Sequence, residues 1–251
     1  FACTPSHPTP GADLDATIHV TQIAIGGDVA GTSVEVFPEE APIPAVCDGP
    51  SMCVAVPGDA MGLTALVRLP AEAVRTIRVH ATGTTLETFL NHAIAPRMDT
   101  TEWDVRVLST TAAGFAVSGA GRTITARTAI LSGDVRDCAD ATVGESIVRV
   151  FRQSGVEVVL GPGVGEAFVA YVDGGLPGGA LTRTSNDGEW FAGNVPVAAG
   201  GERMRVESWG VVGGTYRRLG CETVAVTPDG VGVVDLGPLR SDYSAGNPCL
   251  P

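Results

Sequence analysis

The segment TSNDGEWFAGNVP, residues 184–196, decides the fold class of this chain. Its Asn186-Asp187-Gly188 triplet is a turn signal, because these residue types bond back to their own backbone or accept positive φ angles. The run that follows contains Trp190 and Phe191 and ends at Pro196. A turn that leads directly into a short aromatic run predicts a β-strand.

The same pattern extends along the chain in both directions. Because successive side chains of a strand point to opposite faces, apolar/polar alternation predicts half-buried strands. In the first half it covers 34–36, 65–69, 77–81 and 105–107, and a phase change in 17–25 predicts a bulge. In the second half it predicts strands at 132–136, 147–152, 166–172, 189–192, 203–209, 222–227 and 232–236. A helix is expected at 109–117, capped by Ser109 or Thr110, and a further turn at 70–74.

The two halves also repeat one order of elements. Each has a strand ending in Val-x-Val-Phe, at 34–37 and at 148–151. Each then has an Asp-centred turn, a strand ending in Pro, and one more strand. A repeat of about 115 residues has the size of one small sandwich domain. The sequence therefore predicts an all-β protein of two tandem β-sandwich domains, 13–121 and 122–240, with extended termini at 1–12 and 241–251.

Specific core residues follow from the alternation. The first predicted domain should bury Val34, Val36, Val67, Leu69, Ile77 and Val79. The second should bury Val148, Val150, Phe191, Val206 and Val226.

The second half resembles a carboxypeptidase regulatory-like domain, a transthyretin-like, Ig-like sandwich. The family pattern is Thr-x-Asp-x-x-Gly-x-Phe followed by Pro, and the chain keeps it in Thr184, Asp187-Gly188, Phe191 and Pro196, with a shorter spacing between Asp and Gly. The first half resembles the family more loosely, through Asp59, Gly62 and Leu69-Pro70. This resemblance implies an accessory module of a bacterial exported or surface protein.

Composition excludes several function classes. The chain of 251 residues carries 28 acidic and 16 basic residues, a formal charge of −12. Such a surface repels phosphate backbones, so nucleic-acid binding is not expected. The apolar runs are shorter than the roughly 18 residues that a transmembrane helix needs.

Six cysteines without a CxxC motif favour disulfide bonds over a zinc site, and hence a secreted or cell-surface location. They are Cys3, Cys47, Cys53, Cys138, Cys221 and Cys249. The expected pairs are Cys47–Cys53, Cys138–Cys221 and Cys3–Cys249. Two alternatives stay open for the ends of the chain: the terminal cysteines cross-link neighbouring subunits, or Cys3 carries a lipid.

The residues that could support catalysis or bind a metal are few and scattered. His19 and His80 fall in predicted strands and would share a metal only if those strands pair. Asp134, Asp137 and Asp140 do not form the converging oxygen set that calcium requires. The sequence has no Ser-His-Asp order and no Gly-x-Ser-x-Gly elbow. We therefore expect no cofactor, no metal and no enzymatic activity.

Three aromatic residues are the candidates for ligand contact: Trp190, Trp209 and Tyr216. Since Phe191 matches the family's core position, Trp190 would point outward and stack on a sugar or fill a partner's pocket. The alternative is that the insertion at 155–180 covers it. The leading hypothesis is a non-catalytic exported structural or adhesive protein that self-associates through sheet edges or its termini. A carbohydrate- or peptide-binding module is the alternative, and a metal-dependent enzyme is a third.

Overall fold

The computed structural model describes residues 8–23, 29, 31–47, 54–57, 64–178, 180–239 and 248–249, with the backbone alone for 54–57 and 64–65. The chain divides into two compact units, one ending at Ala113 and the other beginning at Gly114. The expected domain bounds, 13–121 and 122–240, stay a prediction. In the described part of the chain, no helix has the length and apolar character needed to span a bilayer.

The first unit consists of strands in two sheets. The strands are β1 (Asp13–Gln22), β2 (Ser33–Phe37), β3 (Val54–Pro57), β4 (Thr64–Pro70), β5 (Val74–Val79), β6 (Thr88–Ile94) and β7 (Glu102–Val107). One sheet has the order β4-β1-β7, in which β1 is antiparallel to β4 and parallel to β7. In the other, β5 lies between β6 and β2, and β3 pairs with β2.

The core of the first unit lies between these two sheets. Strand β1 alternates strictly, so Leu14, Ala16, Ile18 and Val20 are all buried. They belong to one apolar cluster with residues of the other sheet, including Val34, Val36, Ile77 and Val79. Two sheets that share a core in this way form a β-sandwich.

The second unit is a sandwich as well. Its strands are β8 (Thr128–Asp134), β9 (Ile147–Phe151), β10 (Phe168–Asp173), β11 (Leu176–Gly178), β12 (Glu189–Pro196), β13 (Glu202–Val212), β14 (Thr215–Val226) and β15 (Val231–Val233). One sheet contains β11-β10-β12-β8-β15, and the other has the order β14-β13-β9. Leu131, Trp190 and Ala192 of the first sheet pack with Val148, Met204 and Val206 of the second in one buried cluster.

Most sequence expectations about the fold are confirmed. The protein is all-β, and all eleven predicted core residues named above are buried. The helix α1 spans Thr110–Gly119, and Ser109 caps it because its Oγ accepts the backbone N–H of Ala112 at 3.0 Å.

Two local expectations are wrong. Strand β1 keeps its register through Gln22, so no bulge interrupts its described part; Ile25 lies outside the described residues. The segment 70–74 forms no helical turn. It is the tight turn between β4 and β5, in which the N–H of Ala73 donates to the carbonyl of Pro70 at 3.3 Å.

Candidate functional site

The outer face of the sheet β14-β13-β9 gathers aromatic and arginine side chains. Along β13, Met204, Val206 and Ser208 point into the core, so Arg205, Glu207 and Trp209 point outward. The same alternation turns Arg149 and Phe151 of β9 outward, while Tyr216 and Arg218 of β14 complete the set. We call these seven residues the aromatic–arginine face: Arg149, Phe151, Arg205, Glu207, Trp209, Tyr216 and Arg218.

Glu207 is the centre of this face. Its side chain is 5 % exposed, and its Oε2 accepts the indole N–H of Trp209 at 2.8 Å. Its Oε1 lies 3.2 Å from a guanidinium nitrogen of Arg218 and 3.3 Å from Nε of Arg205. Burying a carboxylate costs free energy unless charges and hydrogen bonds offset the loss of water. Here two guanidinium groups and one indole N–H face it. The carboxylate therefore fixes the positions of Trp209 and both arginines.

Trp209 and Tyr216 form a stacked pair. Their ring centroids are 5.6 Å apart and their planes differ by 25°. The guanidinium carbon of Arg149 lies 5.6 Å from the Trp209 ring, on the β9 side of the central strand. Since Tyr216 reaches Trp209 from the β14 side, Trp209 is flanked on both sides, and Tyr216, 52 % exposed, is the ring open to solvent.

Further arginine contacts order the β9 side of the face. The guanidinium carbon of Arg205 lies 4.3 Å from the Phe151 ring, and that of Arg149 lies 5.2 Å from it. Arg149 also forms a bidentate ion pair with Glu157. These hydrogen bonds raise the pKa of Arg149 and lower the pKa of the Glu157 carboxyl.

Trp209 and Tyr216 lie near the exposed turn of the hairpin between β13 and β14. Gly213 and Gly214 form its turn with φ angles of 60° and 78°, which glycine adopts without strain. Val211 and residues 213–217 are exposed. Of the two arginines in this hairpin, Arg218 shares the face with Trp209, whereas Arg217, opposite Gly210, alternates to the other side of the sheet.

A disulfide bond anchors the same sheet. Cys221 lies opposite Glu207 in the β13–β14 register and is bonded to Cys249, with 5.3 Å between their Cα atoms. The predicted pairs Cys138–Cys221 and Cys3–Cys249 are therefore wrong. After β15 the chain runs back alongside β14, where the N–H of Leu239 donates to the carbonyl of Leu219, and this brings Cys249 to Cys221. Cys47 and Cys138 are also disulfide-bonded; Cys3 and Cys53 lie outside the described residues, and Cys47–Cys53 stays a prediction.

Trp190 does not belong to this site. The prediction that it points outward is wrong, because its side chain is 1 % exposed and packs in the core of the second unit. Val158 and Tyr171, from the insertion at 155–180, belong to the same cluster. The alternative reading, a tryptophan covered by that insertion, is the correct one.

The histidine pair does not form either. His19 lies in β1, which pairs with β4 and β7, whereas His80 follows β5 in the other sheet. His80 instead approaches the carboxylates of Glu35, at 3.1 Å, and Glu87, at 3.8 Å. Within the described ranges, no group of three or more His, Cys, Asp or Glu side chains has a geometry suited to a metal ion.

The acidic turn at 134–140 is organised around one arginine. Arg136 contacts the carboxylates of Asp134 at 2.7 Å, Asp235 at 3.3 Å and Asp140 at 3.4 Å. Burial lowers the pKa of Arg136, but the attraction of the three carboxylates raises it by more, so the pKa lies above its ordinary value. Asp137 accepts the N–H groups of Ala139 and Ala141, so it closes the turn. These aspartates have structural partners of the kind expected for turn residues.

Two members of the aromatic–arginine face, Trp209 and Tyr216, are candidates from the sequence, and their role in ligand contact stays a prediction. Glu207, Arg149 and Arg205 are not among the sequence candidates. The available signal was the i, i+2 spacing of Arg205, Glu207 and Trp209 within one predicted strand, which places all three on one face. Arg149 could not be assigned to the same face, because that depends on the β9–β13 register.

No protein-family model matches the sequence, and no curated protein matches it. Among solved structures, the chain has a weak likeness to the TIE protein of Bacillus anthracis, with 12% identity and a TM-score of 0.26 over 90% of this chain and 34% of the other. It is likewise similar to the shaft pilin SpaA from Lactobacillus rhamnosus GG, with 10% identity and a TM-score of 0.27 over 90% and 98% of the two chains. A Streptococcal ancillary pilin gives 10% identity and a TM-score of 0.26 over 90% and 69%.

The chain spans about a third of the length of the TIE protein. TM-scores this low assign neither a family nor a function. The β-sandwich fold implied by the sequence is present in both units, while membership of the carboxypeptidase regulatory-like family stays a prediction.

Proposed function

We propose that this chain is a non-catalytic, exported adhesive or structural protein whose contact surface is the aromatic–arginine face. The observation that carries the proposal is the stacked pair of Trp209 and Tyr216 on an exposed hairpin. The indole N–H of Trp209 donates a hydrogen bond to the buried carboxylate of Glu207, which holds the pair in place. Rigid, partly exposed aromatic side chains are typical anchors of binding surfaces, because little rotamer entropy is lost when a partner arrives.

Disulfide bonding supports an extracytoplasmic location. Cys221–Cys249 closes the C-terminal part of the second unit, and Cys47 and Cys138 are disulfide-bonded too. Such bonds persist in oxidising compartments and are rare where thiols are kept reduced. This favours a secreted or cell-surface protein.

Bead adhesion tests the adhesive role. The purified full chain, coupled to beads, is passed over surfaces coated with mucin, with collagen or with albumin. We expect retention on at least one of the first two surfaces, lost in Tyr216→Ala and kept in the matched control Arg97→Gln, whose exposed ion pair with Glu72 lies in the first unit. Equal retention of the Tyr216→Ala beads would contradict the proposal.

Self-association is a second candidate role. Strand β7 is at the edge of its sheet, with β1 as its partner, and it exposes Glu102, Asp104 and Arg106. Edge strands can accept a strand from another molecule. Light scattering over a concentration series, under non-reducing conditions, should show oligomers; a monomer at every concentration would contradict assembly.

A further inference from the structure

We propose that the hairpin end of the aromatic–arginine face binds the proline-rich segment 4–10 of a second copy of this chain. The inference rests on the proposed function, because it names the partner of the contact surface assigned there. It depends on three features: an exposed apolar strip, guanidinium groups that already face carboxylates, and an uncharged segment rich in proline.

The apolar strip consists of Ile147, Trp209, Val211 and Tyr216. Ile147 lies opposite Trp209 in the β9–β13 register, and Tyr216 lies opposite Val211 in the β13–β14 register. Directly opposed residues share a sheet face, as do residues two apart in one strand, so all four side chains lie on one face. Val211 is 67 % exposed, Tyr216 52 % and Ile147 38 %. Exposed apolar side chains that adjoin one another favour a partner that covers them.

The width of the strip suits a polyproline II helix. Ile147 and Tyr216 lie on the two strands that flank β13, and two strand spacings amount to about 10 Å across the sheet. A polyproline II helix has three residues per turn, so residues i and i+3 recur on one side about 9 Å apart. A segment with prolines at this spacing can therefore contact both ends of the strip, with Trp209 between them.

The charges on this face favour an uncharged occupant. Arg149 is paired with Glu157, and Glu207 faces the other two arginines of the face. Arg217 points to the opposite side of the sheet, because it alternates with Tyr216. A charged ligand would lose hydration at the strip without gaining a new counter-charge, whereas a neutral apolar ligand has no such cost.

The chain itself contains a segment of the required kind. Residues 4–10 read TPSHPTP, with no acidic residue and no arginine, although the whole chain carries −12. Pro5 and Pro8 are three residues apart, which is one turn of a polyproline II helix. Proline restricts its own φ angle and the conformation of the residue before it, so little entropy is lost when such a segment binds. Aromatic-lined surfaces recognise proline-rich segments in this way.

The described part of this segment is accessible. Thr9 and Pro10 are exposed and precede β1, while residues 4–7 lie outside the described residues. Directly after the segment, the N–H of Gly11 donates to the carbonyl of Ala71 at 2.8 Å, and the carbonyl of Ala12 accepts the N–H of Ala71 at 3.0 Å. The segment is therefore attached to the first unit at a fixed point.

A contact of this type would link copies into a chain. It joins two different surfaces, the segment of one copy and the apolar strip of the next, so each added copy still offers one of the two surfaces for a further contact. Such heterologous contacts produce open assemblies unless the rotation between copies closes a ring.

Binding of a fluorescently labelled peptide of sequence 4–10 to the full chain tests the recognition step. We expect saturable binding that changes little with added salt, because no ion pair forms. Tyr216→Ala should reduce the affinity about ten-fold, a typical loss for an anchor residue, and so should replacement of all three prolines of the peptide by alanine. Tyr216→Phe keeps the ring, and Arg97→Gln changes an exposed ion pair of the first unit, so both should bind within about two-fold of the native chain.

Light scattering over a concentration series tests the second copy. The native chain should form oligomers that an excess of the peptide dissociates, and the full-length variant Pro5→Ala/Pro8→Ala/Pro10→Ala should form fewer. Absence of peptide binding, equal binding of the alanine peptide, or binding that survives Tyr216→Ala would overturn the inference, and so would a chain that binds the peptide yet stays monomeric at every concentration. If the inference fails while the beads still adhere through Tyr216, the adhesive role stands with another partner; if the beads do not adhere either, both fail.

Discussion

The indole N–H of Trp209 donates a 2.8 Å hydrogen bond to the buried carboxylate of Glu207, two residues earlier on the same face of β13. This hydrogen bond connects a buried carboxylate of the second unit to an aromatic side chain at its surface. The carboxylate would be unfavourable at this depth without Arg205 and Arg218, and it adds a hydrogen bond to the two ring contacts that already flank Trp209. The stacked pair of Trp209 and Tyr216 is therefore supported by a residue that is itself buried.

Glu207→Ala should destabilise the second unit by about 3–5 kcal/mol, because it removes the buried carboxylate that two partly buried guanidinium groups face. Chemical denaturation followed by circular dichroism measures this. The matched control is Glu157→Gln, which removes the more exposed carboxylate of the pair with Arg149 and should cost less than about 1 kcal/mol. Similar losses in the two variants would argue against a central role for Glu207.

The Cys221–Cys249 bond should contribute about 3–4 kcal/mol to stability, since it closes a loop with a sequence separation of 28 residues. The double variant Cys221→Ser/Cys249→Ser leaves no unpaired thiol and should unfold at a correspondingly lower denaturant concentration. Peptide mapping under non-reducing conditions should recover the two cysteines in one linked fragment. A linkage between Cys138 and Cys221 would refute the pairing described here.

The elements that sequence reasoning placed well are those fixed by local chemistry. Alternation located Val148 and Val206 in the core, and the hydroxyl of Ser109 marked the start of α1. Apolar alternation and helix capping both involve residues close together in the sequence, so they can be predicted without knowledge of the fold.

The errors arose where the answer depends on contacts distant in sequence. Trp190 and Phe191 point to opposite faces of β12, as alternation requires, yet both are buried. Phe191 packs edge-to-face on Phe168, at 5.6 Å between ring centroids, whereas Trp190 joins the inner cluster. The partner of Cys221 was likewise set by the return of the chain along β14, which residue spacing does not encode.

Stability of the second unit should fall at acidic pH partly through Glu202. Burial would raise the pKa of this carboxyl, but hydrogen bonds from Arg152, Gln153 and Ala198 outweigh burial and lower it. A carboxyl with a lower pKa in the folded than in the unfolded state stabilises the fold above its unfolded pKa, and this contribution is lost as the pH falls through the folded value.

Urea denaturation at a series of pH values from neutral to strongly acidic tests that assignment. Glu202→Gln should be less stable than the native chain at neutral pH, and the difference should shrink as the pH falls below the ordinary range for glutamate. The companion variant Glu145→Gln loses only an exposed pair with Arg183, so its pH profile should follow the native one. A constant difference between Glu202→Gln and the native chain at all pH values would contradict the assignment.

Gly133 should be the most sensitive glycine for the packing of β8 against β15. The two strands run parallel, and a Cβ built at Gly133 would lie only 1.7 Å from the carbonyl oxygen of Val234. Since that oxygen belongs to backbone that is itself bonded to β8 at Ser132, it cannot move without loss of the ladder. Gly133→Ala should therefore give little folded protein.

Gly114→Ala is the matched control: its Cβ meets nothing within 4 Å in helix α1, so the same substitution should raise stability by up to about 1 kcal/mol. Circular dichroism and the yield of monodisperse protein distinguish the two, and a Gly133→Ala variant as stable as the native chain would show that the approach of Val234 is not as close as described.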